Sequence, residues 1–365
     1  MRRYEHSLLL RILHLDLPLL MGLLLLMGLG FIILFSASGE DTDTLLRQAM
    51  RIGIAFGIMF LLAQIPSHHL RLWSPWLYGL GVILLVLVLL VGDVGKGAQR
   101  WLDLGFFRFQ PSELMKLVVP MLIAWYFADR PLPPRFREVL VAGILVAVPA
   151  VLIVGQPDLG TAILVTSSGL LVIFLAGVRW RILIALGALL LAIAPFFWHF
   201  MRDYQRQRVL TLLNPESDPL GAGYHIIQSK IAIGSGGLYG KGWLNGTQSQ
   251  LAFLPERSTD FIFAVYAEEF GLLGILLLLS IYLFLILRGL YIAVRAQDTY
   301  ARLLAGSISM TFFVYVFVNA GMVSGLLPVV GIPLPLVSYG GTSMVTILAA
   351  FGILMSIHSH RRLMA

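Results

Sequence analysis

Apolar residues fall in ten runs along the chain, at roughly 17–35, 48–65, 75–92, 113–128, 138–155, 159–177, 182–200, 261–287, 303–325 and 338–357. Most are about 17 to 25 residues long, the length an α-helix needs to cross ~30 Å of hydrocarbon. The pattern predicts an all-α polytopic membrane protein with about ten transmembrane helices, organised as a single membrane domain over 1–365. The fourth run is the least apolar, because it contains Glu113 and Lys116. Only Gln156, Pro157 and Asp158 separate the fifth from the sixth, which predicts a tight helical hairpin. The one long polar interval, 201–260, reads as a large loop. Within it, 223–233 mixes apolar and polar residues at near-helical spacing and predicts a short interfacial helix. Ser36-Ala37-Ser38 has the small residues of a cleavage site. The ~19 apolar residues before it are long for a signal core, so the first run is expected to remain a span.

Composition agrees with lipid as the solvent. Hydrophobic residues make up 58% and charged residues 12%, with a mean hydropathy of +0.88; a soluble domain carries about twice that charge. The absence of cysteine excludes disulfides, thiolate metal sites and a Cys nucleophile. A net charge of +7 can signal nucleic acid, but in a membrane protein it reflects Lys and Arg gathered on the cytoplasmic side, so no nucleic acid is expected.

That bias orients the chain. Arg2, Arg3 and Arg11 precede the first run, and Arg361 and Arg362 follow the last. Alternate short loops carry Arg71; Arg130, Arg135 and Arg137; Arg179 and Arg181; and Arg288, Arg295 and Arg302. The first opposite loop is acidic, with Glu40, Asp41 and Asp43. Both termini are therefore expected in the cytoplasm of an inner-membrane protein, with 93–112, 156–158, 201–260 and 326–337 facing outward. Two outward loops break the rule. The loop 93–112 holds Lys96, Arg100 and Arg108, and 201–260 holds Arg202, Arg206, Arg208, Lys230, Lys241 and Arg257. A loop of about sixty residues crosses regardless of charge; cations kept outside in the shorter loop suit an anionic substrate, the alternative being local pairing with Asp93 and Asp103.

Ionisable residues near the membrane interior are functional candidates. The outward set is Glu113, Lys116, Asp158, Asp260, Glu268 and Glu269. Asp260 is the last polar residue before the eighth run, where it is either a helix N-cap or a reactive carboxylate at the water–lipid boundary. Glu268 and Glu269, ~12–14 Å further along the helix, are expected to be structural. Glu113 and Lys116 lie at i and i+3 and can pair locally; the alternative expected here is that Lys116 pairs with Asp260 across helices and holds it ionised. The glycines of 234–242 read as a close-approach turn offering backbone N–H groups to a substrate, since the spacing is wrong for a phosphate loop. One base and several cations suffice for displacement at a sugar carbon bearing pyrophosphate, a good leaving group. A divalent cation between Asp260 and Glu256 is compatible with this kit, but two carboxylates of unfixed geometry do not specify one.

Six stretches together resemble the SEDS family (shape, elongation, division and sporulation): Lys96-Gly97-Ala98-Gln99-Arg100-Trp101-Leu102, Phe109-Gln110-Pro111-Ser112-Glu113, Gln156-Pro157-Asp158-Leu159-Gly160-Thr161, Asp203-Tyr204-Gln205-Arg206-Gln207-Arg208, Pro255-Glu256-Arg257 with Thr259-Asp260-Phe261, and Pro333 to Gly341. The resemblance spans nearly the whole chain. It implies a ten-helix peptidoglycan glycosyltransferase that polymerises lipid II at the outer face of the inner membrane during cell elongation. It implies that Asp260 is the catalytic base, with Lys116 beside it. Arg100, Arg206, Arg208, Lys230, Gln110, Glu113, Asp158 and Glu256 are expected to bind substrate. The implied partners are a class B penicillin-binding protein supplying transpeptidation and other elongation-complex proteins. Two rival functions stay open: a flippase for the undecaprenyl-linked precursor, and a non-catalytic scaffold. Against the flippase, the ionisable residues gather at one face, and no inverted repeat of broken helices is evident.

Overall fold

The computed structural model describes residues 14–360, apart from 96–97, 104, 106–107, 183, 186, 189–191, 193–202, 218–220, 252 and 255. Helices α1 (Leu17–Ala37), α2 (Thr42–Ala63) and α3 (Ser67–Val91) come first. Asp16 caps α1 by accepting from Leu19 N–H, and Asp41 caps α2 by accepting from Asp43 N–H. A three-stranded antiparallel sheet follows: β1 (Asp93–Gly95), β2 (Ala98–Asp103) and β3 (Arg108–Phe109). Then come α4 (Pro111–Ala128), α5 (Phe136–Gly155) and α6 (Leu159–Leu175), whose N-cap is Asp158. The long loop contains α7 (Asp203–Leu213), α8 (Ala222–Gly236) and the short α9 (Thr247–Gln250). Helices α10 (Ile262–Val294), α11 (Thr299–Val323) and α12 (Thr342–Ser359) complete the bundle.

Seven of these, α1, α2, α3, α5, α10, α11 and α12, are long and apolar enough to span a membrane. Helix α6 is shorter at 17 residues, and α4 contains the charged Glu113 and Lys116. The expected span at 182–200 lies largely outside the described residues. The chain is a multi-pass helical membrane protein with α11 and α12 at its centre: 67% and 72% of their span residues are buried, against 17% in α2. Two helix starts differ most from the hydropathy reading. Helices α2 and α3 begin six and eight residues before the runs at 48 and 75, because polar first turns extend past the hydrocarbon while remaining helical. The expected interfacial helix at 223–233 is α8. The sheet at 93–109 was not anticipated.

The eighth run is not one helix. Gly271 has φ 64° and ψ −162°, so a half-helix of residues 262–270 ends there and a second helix runs from 272 to 294. A break strands carbonyls at the end of the first helix and N–H groups at the start of the second. Residues 237–242 supply the missing partners. Lys241 and Gly242 N–H donate to the carbonyls of Glu268 and Glu269 (3.0 Å each), while Leu272 and Leu273 N–H donate to the carbonyls of Gly237 and Leu238 (2.9 and 3.1 Å). Only glycine permits this approach, since a Cβ on Gly236, Gly240 or Gly271 would overlap the backbone facing it. The glycines at 234–242 therefore approach the chain's own helix break, and the N–H groups expected to meet a substrate are used there.

The break also resets depth. Ser36, near the end of α1, donates to the Glu269 carboxylate, while at the opposite end Arg288 grips Asp16 through Nε (3.1 Å) and a second nitrogen (2.6 Å). The 20 residues from Asp16 to Ser36 and the 19 from Glu269 to Arg288 each cover about 30 Å at 1.5 Å per residue. Glu269 thus lies level with Ser36 at the end of α1, while Glu268 and Glu269 remain eight and nine residues beyond Asp260 along the half-helix.

Candidate active site

The turn before α10 carries Asp260. The N-cap position of α10 is Phe261, which has no capping side chain, so Asp260 stands one residue before the cap. Glu256, which opens the turn, takes the left-handed conformation (φ 50°) that side chains disfavour. Its carboxylate accepts from Thr259 Oγ1 at 2.9 Å. Helix α11 and the segment between α11 and α12 clasp the turn from the other side. Ser338 Oγ donates to Thr259 O (2.5 Å), Tyr339 N–H to Ser258 O (2.8 Å), and Asn319 Nδ2 to both Asp260 O (2.9 Å) and Ile332 O (2.8 Å). The half-buried Asp260 side chain lies over Gly331, where a Cβ would stand 3.5 Å from Oδ2.

The same 330–332 stretch touches the second group of candidates. A Cβ on Gly160 would meet Val330 O at 2.9 Å and Ile332 Cγ1 at 3.2 Å, which brings the start of α6 beside the Asp260 turn. Asp158 caps α6 through one oxygen and accepts from Gln110 Nε2 through the other (3.0 Å). Arg100 reaches in from β2, donating to Pro157 O (2.5 Å) with its Nε 3.9 Å from Asp158. Gln110 also donates to Ser112 (3.0 Å) in the first turn of α4. The sheet thus seats Arg100 on the hairpin between α5 and α6.

Below this layer Lys116 Nζ bonds Glu113 Oε1 at 2.6 Å, and both side chains are more than nine-tenths buried. Lys116 also lies 5.2 Å from the Tyr315 ring centroid. It borders a cavity of about 30 Å³ shared with Thr311, Phe312, Tyr315 and Thr346, enough for one or two waters. The expected Lys116–Asp260 pair is not formed among the described ion pairs: Glu113, one turn away on the same helix, captures the lysine at no cost in tertiary ordering.

The long loop contributes from the side. His225 of α8 stacks on Phe261, ring centroids 5.4 Å apart. Ser229 Oγ donates to Val323 O at 2.7 Å and docks α8 on the end of α11. Lys230 crosses Gly325, where a Cβ would stand 2.9 Å from Nζ. Arg206 and Arg208 are half-buried on α7. Lys96, Arg202 and Pro255 lie outside the described residues. Among the described residues no three His, Asp or Glu side chains form a metal-ligating group.

With this geometry in hand, the chain matches the family model described as cell cycle protein (FtsW/RodA/SpoVE) over residues 9–363. The chain belongs to this family. It is 56% identical over 353 residues to the peptidoglycan glycosyltransferase MrdB of Escherichia coli K12, covering 96% of this chain and 95% of that one. A chain from a solved peptidoglycan synthase complex, described as coordinating polymerization and crosslinking, has a TM-score of 0.83 and 33% identity, covering 95% and 99%. The rod shape determining protein RodA of Thermus thermophilus gives 0.71 and 32%, covering 94% and 96%.

Several FtsW/RodA/SpoVE-fold residues around the site were missed from sequence. Asn319 ties two segments together from inside the ninth run, Tyr315 lies over Lys116, and Arg51 stacks on Tyr339 with its guanidinium 4.7 Å from the ring centroid. Asn319 and Arg51 carry a legible signal, since a polar side chain within an apolar run requires a partner. His225 and Gly331 carry none, because only the fold places them beside Asp260.

Proposed function

We propose that this peptidoglycan glycosyltransferase polymerises lipid II with Asp260 as general base. The acceptor sugar hydroxyl gives its proton to the Asp260 carboxylate as its oxygen bonds the anomeric carbon of the lipid-linked donor, and undecaprenyl pyrophosphate leaves with the bonding pair. Pyrophosphate needs cations rather than a proton, and Arg100, Arg206, Arg208 and Lys230 serve that need in this reading. The observation that carries it is that Asp260, one residue before the α10 cap position, lies where the α5–α6 hairpin, the α11–α12 segment and α8 meet. Lys116 acts through Glu113 and the first turn of α4, which carries Gln110 toward Asp158. The partner in this reading is a class B penicillin-binding protein, in keeping with the synthase-complex relative.

A flippase reading finds less support. Among the described residues, buried Asp16 pairs with the half-buried Arg288 and His358 at the end of the bundle opposite the site. Purified protein given labelled lipid II, with chain length and translocation scored separately, is expected to build glycan without requiring translocation. Lipid movement with no glycan would overturn the reading. In the same assay, Ala at Arg100, Arg206, Arg208 and Lys230 together should weaken lipid II binding at least tenfold, since one charge-assisted contact contributes about 1.5–3 kcal/mol. Unchanged binding would remove these cations from the substrate's path.

In this reading the site end faces outward and both termini are cytoplasmic, as the Arg bias of the short loops suggests. Compartment reporters at residue 230 and at the C-terminus should then report opposite sides; the same side for both would reject the orientation.

A further inference from the structure

The mechanism leaves unused a charge cluster built on a fully buried carboxylate close behind Asp260. Glu268 is fully buried, and its Oε1 accepts from Lys241 Nζ (2.7 Å), Thr247 Oγ1 (3.0 Å) and Gln248 N–H (3.1 Å). Lys241 Nζ also donates to Thr247 Oγ1 at 2.7 Å. Glu269 is held by Ser36, and Trp243 Nε1 donates to Ile32 O at 3.1 Å, so the same segment is fastened to α1. Such an ion pair, with Glu268 buried and Lys241 half-buried, contributes little net stability; the best-attested use of a pair with a buried member is to fix one arrangement among several.

What it fixes is the half-helix 262–270. Nine residues make a rod about 13 Å long, too short to hold its own place. Asp260 lies just before one end, and the 237–242 pairing and the Lys241–Glu268 bond lie at the other. A tilt of about 5° at the clamped end moves the far end by roughly 1 Å, and a 1 Å misplacement of a reacting group can cost on the order of 10²-fold in rate.

We propose that Lys241 and Glu268 are positioning residues: through them the 237–250 segment sets the half-helix, and the half-helix sets Asp260 against the substrate. The proposal rests on the reading of Asp260 as the base.

The test uses the full-length protein. Lys241→Met alone leaves Glu268 buried without its cation and risks misfolding, so the informative variant is Lys241→Met with Glu268→Met. Ser258→Cys, in a chain that has no other cysteine, reports the position of the Asp260 turn through its maleimide labelling rate. The double variant is expected to fold, to keep its KM for lipid II within about twofold, to lose at least tenfold in kcat, and to change the labelling rate several-fold. Lys241→Arg, which keeps the cation, should restore kcat to within about threefold. The proposal is overturned if the double variant polymerises at the wild-type rate, if its loss falls in KM, or if kcat drops while labelling is unchanged. The labelling readout does not depend on which group is the base. A shifted labelling rate alongside a fully active Asp260→Asn would therefore refute the base and leave the mechanical coupling standing.

Discussion

Asp260→Asn is expected to lower glycan polymerisation by about 10²–10⁴-fold, the range that general-base help contributes, with folding and lipid II binding unchanged. The sequence alone allowed a second outcome, because Asp is a common N-cap and Asn caps about as well. In the structure the cap position falls one residue later, on Phe261, so Asp260 does not occupy it. The backbone of the turn is held independently of the carboxylate, by Asn319 on Asp260 O, Ser338 on Thr259 O and Tyr339 on Ser258 O. Asn therefore keeps the shape of the turn and removes only the basicity. Labelled lipid II polymerised by purified protein, with binding measured alongside, decides the matter. Activity within a few-fold of wild type would exclude Asp260 as the base.

Lys116→Met should destabilise the protein by about 3–5 kcal/mol, because it strands the Glu113 carboxylate in a buried site. The two side chains are 5% and 9% exposed, they pair at 2.6 Å, and Glu113 Oε2 has no hydrogen-bond partner. Adding Glu113→Leu should recover most of the loss, since apolar residues of similar volume replace a buried pair at little net cost. Thermal denaturation of the two variants in detergent checks this. A Lys116→Met protein as stable as wild type would mean that the lysine is not the counter-ion of Glu113, and would reopen the cross-helix pairing with Asp260.

The fate of Lys116 illustrates how far sequence reasoning reached. That a cation within an apolar run needs a partner followed from the cost of burying charge, and a partner is present. Which carboxylate it takes depends on the rotation of α4 against α10 and α11, and no spacing rule encodes that. Likewise Arg100, Gln110 and Asp158 were each singled out separately; their convergence follows from a sheet that folds 93–109 back onto the α5–α6 hairpin. The half-helix escaped notice because Gly271 looks like any glycine in an apolar run. Its positive φ is stable only while 237–242 supplies the broken hydrogen bonds.

By itself the sequence determined the solvent, the spans and the cast of reactive groups. Runs of apolar residues must bury their backbone polar groups in helices when the surroundings are lipid, and a helix lies at each run within the described residues, with shifted starts for α2 and α3 and a break at Gly271 in the eighth. Ionisable side chains cost too much in such runs to persist without a partner or a task, so they marked themselves. Only the tertiary structure decided which of them meet, which residue stands at the α10 cap position, and that the Asp260 turn leads into a nine-residue half-helix whose far end pairs with residues 237–242. Those outcomes depend on small differences among long-range pairings of similar energy. Each is settled by how helices far apart in sequence pack together, as Glu268 with Lys241, Gly160 with Val330 and Asn319 with Asp260 are settled here.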